Sequence, residues 1–191
     1  HVVHNQVLVI KVKVCQQDTA NEIKRLIEEY SSNRIKTVLL DLRNNPGGLL
    51  SAAVETADLF LNQGVIVSTK SRSEGDQQFQ ALPSLEFQNL KVGILINDRS
   101  ASAAEVFTAA LKEHGRAWVM GEKSYGKGVV QKLFPLSNGA ALQMTVSHYY
   151  TPSGQMIEGV GIAPNQVYPM PHELKDESYV EHVAEILMNR R

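Results

Sequence analysis

Residues 90–121 read LKVGILINDRSASAAEVFTAALKEHGRAWVMG, and this stretch decides the fold. Residues 90–97 form an apolar run of strand length, and the small polar residues after them form a turn. From about Ser102 to His114, small and apolar side chains recur at helical spacing, with Val106, Ala109 and Ala110 among them. Gly115 is a good helix stop. Residues 117–121 are again an apolar strand pattern, so the unit is strand, helix, strand.

The same grammar extends outward on both sides. Residues 37–42 (TVLLDL) are a short apolar strand, followed by a turn with two glycines, RNNPGG at 43–48, and a helix over about 50–61. Before them, residues 6–14 alternate Val7, Val9, Lys11 and Lys13 against Leu8, Ile10, Val12 and Val14. That pattern predicts a strand with one face only partly covered. Asp18 or Thr19 caps a helix running to about Ser32, with Ile23, Leu26 and Ile27 at helical spacing. Residues 64–69 are a further strand, and the polar residues 70–89 are a long excursion. Beyond residue 121, residues 129–136 and 140–150 predict a β-hairpin around Ser137-Asn138-Gly139. Residues 159–169 are extended. A terminal helix over 177–190 carries Val180, Val183, Ile186 and Leu187 on one face. Alternating strands and helices predict an α/β fold, with ligands at the strand-to-helix turns.

The bulk numbers narrow the function. The 191 residues are 43% hydrophobic and 20% charged, with a formal net charge of −1 and no long run of one sign. Such a balance points away from a nucleic-acid or membrane-surface partner. No apolar run approaches the roughly 20 residues of a spanning helix. The single cysteine, Cys15, sits in a strand pattern and reads as an inert buried thiol. Paired-cysteine and H-E-x-x-H metal spacings are lacking, as is G-x-S-x-G. No metal or cofactor is implied.

Two strand-to-helix turns stand out, LLDLRNNPGG and ILINDRSASAAE. Each presents backbone N–H groups at a helix N-terminus, where negative charge is favoured. If the two strands are neighbours, donors from both turns can hold one developing oxyanion. Ser102-Ala103-Ala104-Glu105 is also S-x-x-E, the capping-box pattern, so Ser102 reads either as a cap or as a nucleophile. Lys127 lies between Gly126 and Gly128, just before an apolar strand. A lysine acting as a general base has to be neutral, a state that burial in an apolar pocket favours. Tyr125, Val129 and Val130 could form that pocket, and Gln131 could orient the amine. Residues 121–128 (GEKSYGKG) match G-x-x-x-x-G-K, but Gly128 stands where a P-loop has Ser or Thr, and the next residues have a strand pattern instead of a helical one.

Four segments carry a resemblance: LLDLRNNPGGLL at 39–50, NDRSASAAEVF at 97–107, GEKSYGKGVVQ at 121–131 and YYTPSGQMIEGVGIAPN at 149–165. In this order they resemble the protease core of the carboxy-terminal processing (tail-specific) proteases, serine proteases with a Ser-Lys dyad. The resemblance implies Ser102 as nucleophile in preference to Ser100, Lys127 as general base and Gln131 as its support. It implies the backbone N–H groups of Gly48 and Ala103 as the oxyanion hole. It further implies a ClpP/crotonase-like fold of repeated β-β-α units, with a β-hairpin and a C-terminal helix. Residues 1–170 would be the protease core and 171–191 a helical appendage. The implied reaction is cleavage of proteins near their C-terminus through an acyl-enzyme, in an extracytoplasmic compartment. The implied partner is a protein or peptide with an accessible C-terminal tail, without metal or nucleic acid, and a homo-oligomer is left open. Family members usually carry a PDZ domain before or within this core, and no PDZ-like segment is read in these residues. The rival reading is a non-catalytic ligand-binding module on the same fold, as in retinoid-binding proteins that resemble this core.

Overall fold

A computed structural model describes residues 2–4, 6–30, 35–71, 75–84, 86–171 and 175–190. The elements run β1 (Val2–His4), β2 (Val7–Lys11), α1 (Thr19–Tyr30), β3 (Thr37–Asp41), α2 (Leu50–Asp58), β4 (Val65–Ser71), β5 (Gln77–Gln80), β6 (Lys91–Ile96), α3 (Ala103–Glu113), β7 (Ala117–Gly121), β8 (Val129–Pro135), β9 (Ala141–Tyr150), β10 (Gln166–Val167) and α4 (Asp176–Asn189). The strands form two sheets. One has the order β1-β2-β3-β6-β7-β10, and β2, β3, β6, β7 and β10 are parallel along it. The other, β5-β4-β9-β8, is antiparallel throughout. The fold is therefore mixed α/β, with one largely parallel and one antiparallel sheet.

The parallel sheet is buried on both faces, which is why its strands read as near-continuous apolar runs. Successive side chains alternate between the faces. Leu8, Ile10, Val38, Leu40, Ile94, Ile96 and Val119 join one core with α1, α2 and α3. Val7, Val9, Leu39, Leu95 and Met120 form a second core with Tyr179, Val180, Val183, Ala184 and Leu187 of α4. The expectation of a partly covered face on the first strand is corrected here: α4 lies over it, leaving Val7 only 1% exposed. The terminal helix thus completes the sheet's second layer.

β2 also ends earlier than the alternation predicted. Val12 donates to Asp41 O at 3.0 Å, and the chain then leaves the ladder to meet the 43–48 turn. Cys15 N donates to Gly47 O at 2.8 Å, and Leu49 N donates to Cys15 O at 2.8 Å. Ser32, the expected end of the first helix, lies outside the described residues. Within the polar excursion, residues 77–80 pair with β4 as an exposed edge strand. The hairpin forms as expected, with β8 and β9 joined by a turn in which Leu136 N donates to Ala140 O at 2.8 Å. Most of it projects into solvent, with Leu133, Phe134, Leu142 and Met144 exposed.

Candidate active site

β3, β6 and β7 lie side by side and parallel, so the turns leaving their C-terminal ends are neighbours. The first turn (residues 42–49) leads into α2 and the second (97–102) into α3. Hydrogen bonds stitch them together. Ser100 Oγ donates to Leu42 O at 2.8 Å, Asn44 N to Asn97 Oδ1 at 2.9 Å and Ala101 N to Asn45 O at 2.9 Å. The Asn45 side chain, wholly buried, accepts from Gly47 N and donates to Val12 O, both at 2.8 Å. Gly47 packs directly on the second turn. A Cβ there would stand 2.7 Å from Ser102 Cβ and 2.9 Å from Ala103 N, at a φ of +102°. Only glycine fits both the space and the dihedral.

Ser102 is the N-terminal cap of α3 and is half-buried. Its backbone has φ 56° and ψ −120°, a combination costly for a residue with a Cβ. Ser102, Asn44 and Gln6 are the non-glycine residues with positive φ among those described. Ser100, the other serine of the cluster, is fully buried, and its hydroxyl is committed to Leu42 O. Among the described residues, neither Gly48 N–H nor Ala103 N–H has an acceptor. Gly48 is held by its bridge to Cys15, and a Cβ on it would stand 2.0 Å from Cys15 O. Both free donors therefore flank the point where Gly47 meets Ser102. Burial raises the Cys15 thiol to about 11, with a weak hydrogen bond from Asn45 opposing the rise, so this cysteine stays a neutral packing group at physiological pH.

Glu105 joins the second turn to the lysine segment. Its side chain is 1% exposed, yet its carboxylate accepts four hydrogen bonds. Oε1 accepts from Ser124 Oγ at 2.5 Å and Gly126 N at 2.7 Å. Oε2 accepts from Ser102 N and Lys127 N, each at 2.8 Å. The backbone nitrogens of Ser102 and Lys127 are thus within twice that distance of each other. Residues 149–162 brace the far side. Gly159 N donates to Gly126 O at 2.9 Å, Ile162 N to Ser124 Oγ at 2.7 Å and Gly128 N to Glu158 Oε2 at 2.6 Å. Each of the four segments that carried the resemblance contributes to this one region.

The side chains around the lysine depart from expectation. Lys127 is exposed, Tyr125 is 69% exposed, and Val129 and Val130 are half-buried, so these residues do not enclose the amine in an apolar pocket. Gln131 is exposed and its Oε1 accepts from Gln143 Nε2 at 3.0 Å across the hairpin. Lys127 leads into β8 and not into a helix, which removes the P-loop geometry. Behind the first turn, Arg43 is 6% exposed. Its guanidinium pairs with Asp41 Oδ2 and Asp176 Oδ1, each at 2.7 Å, and stacks on Tyr179. Burial alone would disfavour its charge, but the bonds to Asp41 and Asp176 more than offset this and its pKa is raised. The start of α4 is thereby anchored behind the Gly47–Gly48 turn.

The family model for peptidase family S41 matches residues 6–168. The chain belongs to this family. It is 42% identical over 163 residues to a carboxy-terminal-processing protease of Bartonella bacilliformis, covering 85% of this chain and 38% of that protein. It is 38% identical over 165 residues to a probable CtpA-like serine protease of Staphylococcus aureus, covering 85% and 33%. Among solved structures it is similar to a photosystem II D1 C-terminal processing protease, with a TM-score of 0.81 and 28% identity, over 95% of this chain and 50% of that one. The chain therefore spans between a third and a half of these family members. The family match ends before α4, the helix that closes the parallel sheet's second face.

Sequence reasoning missed two residues of this candidate site, Glu105 and Asn45. The S-x-x-E spacing marked Glu105 as a cap partner, a local bond that Ser102 N does make. Its three other donors come from residues 124–127, and no local spacing encodes them. Among the described residues, no group of three or more His, Cys, Asp or Glu side chains is disposed to hold a metal ion.

Proposed function

We propose that this chain is the catalytic core of a serine endopeptidase that cleaves proteins near their C-terminus. The observation that carries the reading is Ser102: a half-exposed serine in a strained backbone conformation at a helix N-terminus, beside two unpaired N–H groups. Strain of this kind collects at functional sites, because surrounding structure has to enforce it. In the proposed reaction, Ser102 Oγ attacks the scissile carbonyl carbon while neutral Lys127 Nζ takes the hydroxyl proton. The tetrahedral oxyanion lies against Gly48 and Ala103 N–H. Lys127 then protonates the leaving amine, the C–N bond breaks, and an acyl-enzyme remains on Ser102. A water molecule deprotonated by Lys127 releases the acid and restores the serine.

Exposure of Lys127 places a condition on this scheme. A bound peptide has to cover the amine and exclude water from it before the proton transfer. Gln131 would then exchange Gln143 for the amine. The family kinship supports a protein substrate, and the reading extends to an accessible C-terminal tail, an extracytoplasmic location and a ClpP/crotonase-like fold of repeated β-β-α units. Those assignments rest on kinship alone.

A second reading, a non-catalytic binding module, draws on the same two facts: an uncovered Lys127 and a Gln131 engaged elsewhere. Incubation with an unstructured peptide, read by mass spectrometry, separates the two. The peptidase reading predicts cleavage that is lost in Ser102→Ala, and equal cleavage by that variant would refute it. Saturable peptide binding without any cleavage would favour the module.

A further inference from the structure

At the opposite end of the parallel sheet lies a cavity of about 440 Å³. β6 runs from it to the Ser102 turn, and six strand residues span about 17 Å. α3 covers a similar span, about 15 Å, from Ser102 to Lys112. The cavity is thus remote from the reaction centre. Its lining includes Lys91, Lys112, Arg116 and Arg190, and no aspartate or glutamate among the described residues.

These four cations find only carbonyl oxygens or a ring among the described residues. Lys91 Nζ donates to Met188 O at 3.3 Å and Arg190 O at 2.6 Å, at the end of α4. Lys112 Nζ donates to Ala163 O at 2.7 Å. Arg116 donates through Nε to Phe60 O at 2.9 Å and through Nη2 to Phe87 O at 2.6 Å. The Arg190 guanidinium lies over the Trp118 ring, 3.1 Å from its centroid. Carbonyl bonds of this kind are ordinary capping at helix and loop ends. They do not balance four formal charges, so the field at the cavity is positive.

Trp118 lies on the cavity wall beneath Arg190. Its Nε1–H is buried and lacks a partner, the one such side-chain atom among the described residues. A buried donor without an acceptor is destabilising and calls for an explanation. An acceptor-rich anion in the cavity would balance the cations, and it would reach the indole N–H only if the ring, which lies under Arg190, turned toward the cavity. We propose that this cavity binds a small polyanion through carboxylate or phosphate oxygens, held by Lys91, Lys112, Arg116 and Arg190. The inference does not depend on the peptidase reading.

Trp118 is the only tryptophan of the chain, so its fluorescence reports on the cavity. Inorganic phosphate and citrate are titrated separately, with ionic strength held constant by sodium chloride. The proposal predicts a saturable change in Trp118 emission for at least one of them, and the one that responds identifies the preferred oxyanion. It also predicts binding about tenfold or more weaker in the double variant Lys91→Gln/Lys112→Gln, since charge-assisted bonds are the strong ones. Both lysines sit on the cavity rim, and circular dichroism checks that the variant folds. The heat-denaturation midpoint should rise with ligand concentration in the wild type and much less in the variant. Absence of a saturable response to both ions, or an equal response in the folded double variant, would overturn the site and leave the four cations as caps.

Discussion

Replacing Glu105 by glutamine keeps the volume of the side chain and removes half of its acceptor capacity. The native carboxylate uses both oxygens, each receiving two donors at 2.5–2.8 Å. A glutamine offers one oxygen and one NH₂ group. Facing Ser102 N and Lys127 N, its NH₂ group opposes two N–H donors; facing Ser124 Oγ and Gly126 N it opposes one, because a hydroxyl also accepts, all in a site that is 1% exposed. If the NH₂ faces Ser102 N and Lys127 N, the tie between nucleophile and base is cut. If it faces Ser124 Oγ and Gly126 N, the lysine loop is freed at its other end. Hydrogen bonds to a charged group contribute about 1.5–3 kcal/mol each, so losing one or two costs about 1.5–6 kcal/mol. Domains of this size are stable by roughly 5–15 kcal/mol, so the variant should fold with a much lower midpoint. Urea unfolding followed by circular dichroism measures the loss. Turnover of an unstructured peptide under conditions where the variant is folded should fall mainly in kcat, because Ser102 and Lys127 lose their shared anchor. A stability loss below about 1 kcal/mol, or an unchanged kcat, would refute the role given to Glu105.

The same geometry sets three further outcomes. Gly48→Ala places a Cβ 2.0 Å from a backbone oxygen at φ +140°, and denaturant unfolding should show a loss of about 3 kcal/mol or more. Ser102→Gly should be more stable than Ser102→Ala by about 1 kcal/mol, because relief of 1–3 kcal/mol of strain at φ 56° outweighs the added freedom of the unfolded glycine; equal melting temperatures would argue against strain at Ser102. Cys15 should react with thiol reagents at pH 8 only in denaturant. Its folded pKa of about 11 lies above its ordinary 9.0, so its contribution is intact below about pH 9 and is lost as the pH rises toward 11. That loss is at most about 2–3 kcal/mol, read as a fall in the urea midpoint across the interval; a flat midpoint would contradict it.

Much of this architecture is legible in the residues, for definable reasons. The apolar runs that became β3 and β6 report burial on both faces, and the helix after each is marked by its spacing and by small residues at its start. The juxtaposition of the two turns rested on the assumption that their strands are neighbours, which β3 and β6 are. The features that escaped depend on partners distant in sequence. Alternation in residues 6–14 suggested a half-covered strand because nothing local announces that α4 returns to cover it. Residues 77–80 have one apolar side chain and gain strand structure only by pairing with β4. The apolar pocket around Lys127 was inferred from chain neighbours. An extended chain sends neighbours to opposite sides, so Tyr125 points to solvent while Gly126 and Gly128 pack on residues 157–161. Glu105 was visible as a cap because its bond to Ser102 spans three residues. Its bonds to residues 124–127 span about twenty and obey no local pattern.

The proposed chemistry stands or falls on Ser102 as a nucleophile activated by Lys127. Treatment with a fluorophosphonate, followed by digestion and mass spectrometry, tests it most directly. The expected result is one modified residue, Ser102, with labelling abolished in Lys127→Ala while Ser100 stays unmodified. Modification at another serine, or labelling of Ser102 at the same rate without Lys127, would contradict it.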